Sequence, residues 1–445
     1  MWNVYKGDDH INPKKLLERK YIYLTLIAIK FREMRVLESN KGNAYVNTDP
    51  IYEQAVEELD KLNLDKTTNV DLRLLLQGML QPQVKQIFEV FDRVDQRLQI
   101  PQSIESHDAE THTNSIMDED FFIATYKDIL LNDFDRTQQQ LSELLDVVTP
   151  TDDYKHQDQM NFLNTKEQAI LSLLQYHGWN RSTDALTTLP ISRRTDDTDI
   201  TSLDAFGMKV ENSKDETIRL IKQYQTVNLC RSALIRDELG YSVLSLRSSI
   251  PNAGRGLYID GFVMAGAIVA FQPGDIWPKE HILTDAPEVM EHFADDDEDC
   301  QISLRFDDYV VDARQSPVVV LCRDGSLNPW ALGNMANHPN PDIIPNCQSV
   351  MLNYLAKSKL EHLVRYIPNS YSKLPTWQST FFDLEEVVMH GLCLVSRRDV
   401  KNQELMYDYR LQSHITPEWY NIVKYENQLE EDQVVFFRDD WRDKQ

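Results

Sequence analysis

The sequence is poor in cysteine and has no long hydrophobic run. Its 445 residues include five cysteines, which are dispersed and never spaced as Cys-x-x-Cys. Disulfide-framed proteins and structural zinc sites need denser or regularly spaced cysteines, so we expect no disulfide framework, no metal site and a reducing compartment. The longest apolar run, residues 21–29, is too short to cross a bilayer, and no signal-peptide pattern opens the chain. These absences favour an intracellular protein, nuclear or cytoplasmic, without a membrane partner.

Basic residues are scarce as well. The chain has 46 Lys and Arg against 71 Asp and Glu, a formal net charge of −25. Nucleic-acid affinity depends on Lys and Arg that neutralise phosphates, so no direct nucleic-acid binding is expected. An acidic protein attracts basic partners such as Lys-rich protein segments. The hydrophobic fraction of 42% is that of a globular protein, and the length suits about two to three domains.

Residues 1–230 are predicted to form a helical domain. Ile51, Ala55, Val56 and Leu59 recur at helical spacing after a Thr-Asp-Pro start, which is a typical helix beginning. Apolar residues continue this pattern between 121 and 148 and again from 171 to 174, before a stop at Gly178. No fixed-period repeat is present, so a solenoid is not favoured.

The composition changes after residue 231 and becomes typical of short strands. Residues 241–246 alternate between apolar and polar, and short apolar runs separated by turns follow. These runs are 256–259, 267–271, 309–311, 318–322 and 393–395. The sequence therefore predicts an α+β protein with a β domain over 231–415 and a small insert at about 278–330. Residues 416–445 are charged but rich in aromatics, so we expect a packed tail.

Three short motifs in the β region carry possible chemistry. The turn Gly254-Arg255-Gly256-Leu257 can bring its backbone close to a ligand, because glycine has no Cβ. A plain hairpin turn is the commoner origin of Gly-x-Gly. The turn is not a dinucleotide fingerprint, since no third glycine follows it.

The other two motifs place amide and phenol groups. Asn337-His338 offers an amide with donors and an acceptor, although a helix-capping Asn beside a bystander His is the simpler interpretation. Residues 402–409, Asn-Gln-Glu-Leu-Met-Tyr-Asp-Tyr, end in Tyr409, whose phenol can line a site for an amine or lie in a core strand. Glu404 and Asp408 have the alternative interpretation of a solvated turn and a strand-end polar residue.

The three motifs in this order, spread over about 160 residues, resemble the SET domain of protein lysine methyltransferases. The resemblance covers residues 231–415 and implies a SET-type β domain in which the last two motifs interlock as a pseudoknot. It implies S-adenosyl-L-methionine as cofactor and a protein or peptide with an accessible lysine as substrate. The implied cofactor-binding residues are Arg255, Gly256, Leu257, Asn337 and His338. The implied catalytic residues are Tyr409 and Tyr407.

The resemblance also implies a product preference and some departures. Tyr407 occupies the position that sets the degree of methylation, so a bias towards monomethylation is expected. The segment from Asn337 to Asn346 is three residues longer than usual and lacks Ser-Cys. Gln272 stands where a tyrosine is usual, and no zinc-binding cysteines follow Tyr409. Trp419 and Tyr420 are candidates for the missing lid. The alternative function is a catalytically inactive scaffold or reader, and a third is a partner-binding helical half.

Overall fold

A computed structural model describes most of the helical and strand-forming chain. The described residues are 13–40, 48–62, 67–99, 119–147, 154–179, 215–278, 302–314, 328–340, 343–355, 360–372 and 387–409. The described chain is helical up to Leu239 and rich in strands from Tyr241 onwards, so the predicted α+β class is confirmed. The predicted tail, most of the insert and the lid candidates lie outside the described residues.

Six long helices form the first half of the described chain. They are α1 (Pro13–Asn40), α2 (Thr48–Asp60), α3 (Asn69–Leu98), α4 (Glu119–Val147), α5 (Tyr154–Tyr176) and α6 (Asp215–Leu239). The predicted helices near residues 48–64 and 121–148 are α2 and α4. Within the described residues, no helix has both the length and the apolar character needed to cross a membrane.

Eleven short strands of the described chain form three sheets. The strands are β1 (Tyr241–Arg247), β2 (Arg255–Val263), β3 (Ile268–Gln272), β4 (Gly274–Trp277), β5 (Ile302–Leu304), β6 (Val310–Asp312), β7 (Cys347–Leu355), β8 (Asn369–Tyr371), β9 (Val387–Ser396), β10 (Val400–Lys401) and β11 (Glu404–Leu405). The first sheet has the order β1-β2-β10, and β11 also pairs with β2. The second is β3-β9-β7, and the third is β5-β6-β4-β8.

Helix α3 organises the core because one of its faces is apolar along its length. Thr68 caps its first turn by accepting a hydrogen bond from the Asp71 backbone at 3.2 Å. Buried residues then recur every three or four positions, as expected for a helix packed on a sheet. Phe88 of this face packs against Phe271 and Tyr354 of the second sheet, with ring centroids 5.4 and 6.2 Å away.

Glutamines of α3 also bind the backbone of both outer strands of the second sheet. Gln77 donates to Met351 O at 2.9 Å and accepts from Asn353 N at 2.8 Å on β7. Gln83 accepts from Ile268 N at 3.1 Å at the start of β3. Edge strands expose unpaired backbone groups, and these side chains satisfy them as a neighbouring strand would.

A buried group of four charges joins the helices to the first sheet. Lys166 of α5 contacts Asp133 of α4 at 3.0 Å and Asp260 of β2 at 2.8 Å. Arg236 of α6 contacts the same two carboxylates at 2.7 and 2.8 Å. We call these four residues the charge tetrad. Since two cations balance two anions out of water, the tetrad ties α4, α5 and α6 to β2.

The predicted division at residue 230 falls inside a helix. Helix α6 runs on to Leu239, and only Gly240 separates it from β1. Cys230, Cys347 and Cys393 are buried free thiols. The separate folding of residues 1–230 stays a prediction.

Candidate active site

The three sequence motifs meet along β2. Arg255, Gly256 and Leu257 begin this strand, and Leu257 pairs with Leu405 of β11. The next pair is Tyr258 with Glu404. Strand β11 therefore lays residues 402–409, which we call the closing segment, directly beside the Gly-Arg-Gly-Leu turn, although about 150 residues separate the two in the sequence.

Glu404 lies at the centre of this meeting point. Its side chain is buried, and Oε1 accepts from Ser248 Oγ at 2.7 Å and from Asn337 Nδ2 at 3.0 Å. Oε2 accepts from Ser249 N at 2.8 Å, Ser249 Oγ at 2.6 Å and Tyr258 Oη at 3.0 Å. The interpretation of Glu404 as a solvated turn residue is therefore wrong. Buried polar atoms need partners, and here three chain segments supply them.

The glycines of the first motif have distinct roles. Gly254 has φ +68°, a left-handed conformation that suits the tight turn between β1 and β2. A Cβ at Gly256 would collide with Oε1 of Glu404 and lie 3.2 Å from the Ser248 backbone. Gly256 is therefore small because the Glu404 carboxylate occupies the adjacent space.

Asn337 is held through its amide nitrogen. Nδ2 donates to Ser248 Oγ at 3.1 Å, Arg255 O at 2.9 Å and Glu404 Oε1 at 3.0 Å. Within the described residues no group donates to its Oδ1. The side chain is half-buried, and the three acceptors of Nδ2 fix the orientation of the amide and with it of Oδ1. The capping interpretation of Asn337 is replaced by a bridge between two motifs.

The closing segment crosses the Asn-His segment at two points. Tyr407 N donates to Asn337 O at 3.1 Å, and a parallel bridge joins Asn337 to Met406. Further along, Asn346 donates from Nδ2 to Glu404 O at 2.7 Å and accepts from Met406 N at 2.8 Å. Asn337 and Asn346, at the two ends of the Asn-His segment, therefore both hold the closing segment.

Tyr409 and His338 form the outer part of the site. The Tyr409 hydroxyl donates to Ala336 O at 3.0 Å, and its backbone N donates to His338 Nδ1 at 3.4 Å. His338 is buried, and its Nδ1 lies 3.8 Å from Asp408 Oδ1. Burial raises the pKa of the Tyr409 phenol to about 12, against a hydrogen bond at His338 and with the nearby negative charge of Glu404. The phenol is therefore protonated at neutral pH.

Tyr407 packs beside Tyr409. Their ring centroids are 4.9 Å apart with an interplanar angle of 53°, and Tyr407 is half-buried against the core. The two phenols are thus neighbours on one face of the closing segment. All seven predicted site residues lie in this one region, and Arg255 also donates from Nε to Ser245 Oγ at 3.0 Å.

Helix α5 lies behind the site and was not predicted to take part in it. Phe162 stacks on Tyr258 with centroids 5.5 Å apart, one turn before Lys166 of the charge tetrad. One turn earlier still is Asp158, which is half-buried. Burial, and then the charge of Glu404, raise the pKa of Asp158 to about 6, against the opposing charge of Arg398. The spacing of four residues is the only sequence signal for this stripe.

Gln272, which stands where a tyrosine is usual, lies in the described part of the chain at the end of β3. It is buried, and its Nε2 donates to Ser303 Oγ at 3.4 Å. Its backbone O accepts from Asn369 Nδ2 at 2.9 Å. Among the described residues, no group of three or more His, Cys, Asp or Glu side chains is arranged to hold a metal ion.

Known proteins give little to compare with this chain. No family model matches it, and no curated protein sequence matches it. One similar solved structure is the crystal structure of CpSET8 from Cryptosporidium, which is 17% identical. The match covers 57% of this chain and 98% of that one, with a TM-score of 0.24. A likeness at this score indicates neither fold nor function.

Proposed function

We propose that the chain is an S-adenosyl-L-methionine-dependent protein lysine methyltransferase with a SET-type fold. One observation carries the proposal: three motifs that resemble the SET family in sequence converge on a single buried carboxylate, Glu404. The double crossing of the closing segment by Asn337 and Asn346 supports the pseudoknot that the resemblance implies. We propose residues 231–415 as the SET domain, 1–230 as its helical companion and 416–445 as the tail.

The described residues fit the proposed cofactor. An amino acid ammonium needs oxygen acceptors, and Asn337 Oδ1 is an oriented acceptor beside the turn at Arg255. His338, and Gly256 and Leu257 at the start of β2, would supply backbone groups beside Asn337. When bound, S-adenosyl-L-methionine would supply the methyl group of its sulfonium. The remainder of the cofactor then leaves as a neutral thioether.

Tyr409 would orient the substrate amine. Because its phenol is protonated and donates to Ala336 O, the lone pairs of Oη can accept a hydrogen bond from a neutral lysine amine. A phenol that stays protonated is not a base, so the lysine ammonium must lose its proton to water before attack. Positioning and exclusion of water then account for the catalysis. Tyr407, beside this phenol, would restrict the space for added methyl groups and favour a monomethyl product.

The finer family assignment and the partners also belong to the proposal. Residues 130–135, Leu-Leu-Asn-Asp-Phe-Asp, and the lead-in 239–243 resemble the group of SET domain-containing protein nine. The net charge of −25 favours a basic protein or peptide substrate. The alternative, an inactive scaffold or reader, has one supporting observation: the Tyr409 hydroxyl already has an internal acceptor, Ala336 O.

Calorimetry and methyl transfer test the proposal together. We expect S-adenosyl-L-methionine to bind the full chain and Asn337→Ala to weaken binding strongly. Labelled cofactor with core histones and a lysine peptide library should then give methylated product, which Tyr409→Phe abolishes. Tyr407→Phe should raise the dimethyl fraction in mass spectra. Binding without transfer would favour the scaffold, and no binding would contradict the proposal.

A further inference from the structure

Glu404 joins more of the site than any sequence motif indicates. Its two carboxylate oxygens accept five hydrogen bonds between 2.6 and 3.0 Å, as described above. The donors come from the Ser248-Ser249 turn, from Tyr258 on β2 and from Asn337. The closing segment contributes the acceptor itself. Of the segments that carry proposed site residues, the closing segment supplies this carboxylate, Asn337 donates to it, and residues 255–257 adjoin the donor Tyr258.

The chemistry of these donors is uniform. All five are neutral hydroxyl, amide or backbone N–H groups, and no Lys or Arg among the described residues forms an ion pair with Glu404. Hydrogen bonds to a charged acceptor are shorter and stronger than neutral ones. Neutral donors attached to turns and strands are also directional, so they fix positions and not only charge balance.

We propose that Glu404 is a positioning residue for the active site, which orients Asn337 and holds the Gly-Arg-Gly-Leu turn against the closing segment. The inference rests on the proposed function for its ligand, S-adenosyl-L-methionine. By anchoring Nδ2 of Asn337, Glu404 fixes the orientation of Oδ1, the acceptor of this amide. It also sets the distance between Ser248 and Asn337, which share Oε1.

Glu404→Gln tests this role with little change in shape. In either orientation the new amide nitrogen faces a group that can only donate, the Ser249 backbone N–H at the Oε2 position or Asn337 Nδ2 at the Oε1 position. We expect about tenfold weaker cofactor binding or more, the effect of removing hydrogen bonds to a charged group. Asp399→Asn is the matched control, because that carboxylate accepts from Ala265 N at 3.0 Å and from Arg35 but contacts no motif. Unchanged binding by Asp399→Asn is expected.

A double-mutant cycle separates positioning from general stability. If Glu404 acts through Asn337, then Glu404→Gln should weaken binding little further in an Asn337→Ala background. Full additivity, or equal losses for Glu404→Gln and Asp399→Asn, would overturn the proposal.

Hydrogen exchange without cofactor tests the role independently of the proposed function. In Glu404→Gln we expect faster exchange in all three segments, 248–258, 336–338 and 404–409, while α3 keeps its protection. Faster exchange confined to 404–409 would overturn the positioning role. If the wild type does not bind cofactor but the three segments loosen together, the proposed function fails and the positioning role of Glu404 stands.

Discussion

Two buried carboxylates, Glu404 on β11 and Asp260 on the neighbouring strand β2, are stabilised in different ways. Glu404 is paired beside Tyr258 and is surrounded by neutral donors. Asp260, two residues further along, belongs to the charge tetrad and is held by Lys166 and Arg236. Both carboxylates are almost completely buried. Two neighbouring strands of the first sheet therefore carry a hydrogen-bonded centre at Glu404 and an ionic centre at Asp260.

The difference separates what each centre does. Ionic pairs act over several ångströms and tolerate small shifts, so the tetrad can join helices from three parts of the chain. Neutral donors act only at hydrogen-bond distance and angle, so Glu404 defines geometry. We infer that the tetrad contributes mainly to the stability of the helix–sheet contact. Glu404 contributes mainly to the order of the motif segments.

Breaking the tetrad should give the largest effect. Lys166→Met leaves Asp133 and Asp260 with one shared cation, Arg236, and should lower the free energy of unfolding by about 3–5 kcal/mol. Urea titration measures this loss. Lys85→Met on exposed α3 surface is the control and should change stability by less than about 0.5 kcal/mol. A loss no larger than that of the control would show that the tetrad does not hold the layers together.

Crowding the hydrogen-bonded centre should have a smaller effect. Gly256→Ala places a methyl group against Glu404 Oε1 and should cost about 1–3 kcal/mol. Gly78→Ala in α3 is the matched control, because nothing lies within 4 Å of its new Cβ, and it should stabilise by about 0.5–1 kcal/mol. Adding Glu404→Asp to Gly256→Ala should recover part of the loss. Thermal unfolding of the three variants would refute the clash if both glycine changes behaved alike.

The tetrad also predicts an acid dependence. Burial alone would raise the pKa of Asp133, but the charges and hydrogen bonds of Lys166 and Arg236 lower it below its usual range. A lowered folded pKa gives stability that is complete above the unfolded pKa of about 3.9 and is lost as pH falls below it. The free energy of unfolding should therefore decrease as the pH is lowered from 5 to 3, by at most about 1.4 kcal/mol per pH unit for this group. Lys166→Met should flatten that slope, and an unchanged slope would exclude Asp133 as its source.

The sequence predicted one of these centres better than the other. The motif residues from Arg255 to Tyr409 were identified because three motifs, each weak alone, resemble the SET domain in their order along the chain, and they do lie together. Glu404 was visible in the same motif, but burial is not encoded in a Glu beside a turn. The tetrad was invisible, since Asp133, Lys166 and Asp260 look like solvated residues until three helices bring them together. Non-local charge pairing has no sequence period to detect.

The smallest predicted effect concerns Asp158 on α5, two turns before Lys166 of the charge tetrad. Burial and the charge of Glu404 raise the pKa of Asp158 on α5 to about 6. This shift is opposite in direction to that of Asp133. A carboxyl group whose pKa is raised in the folded state contributes its full stability below its unfolded pKa of about 3.9. That contribution is lost as pH rises through 6. Asp158→Asn should therefore raise the melting temperature at pH 7 and leave it unchanged at pH 4, whereas Asp128→Asn on exposed α4 surface should do neither. The gain should be modest because Asp158 is only half-buried. If Glu404→Gln removes most of the gain, Glu404 and Asp158 of helix α5 are electrostatically coupled.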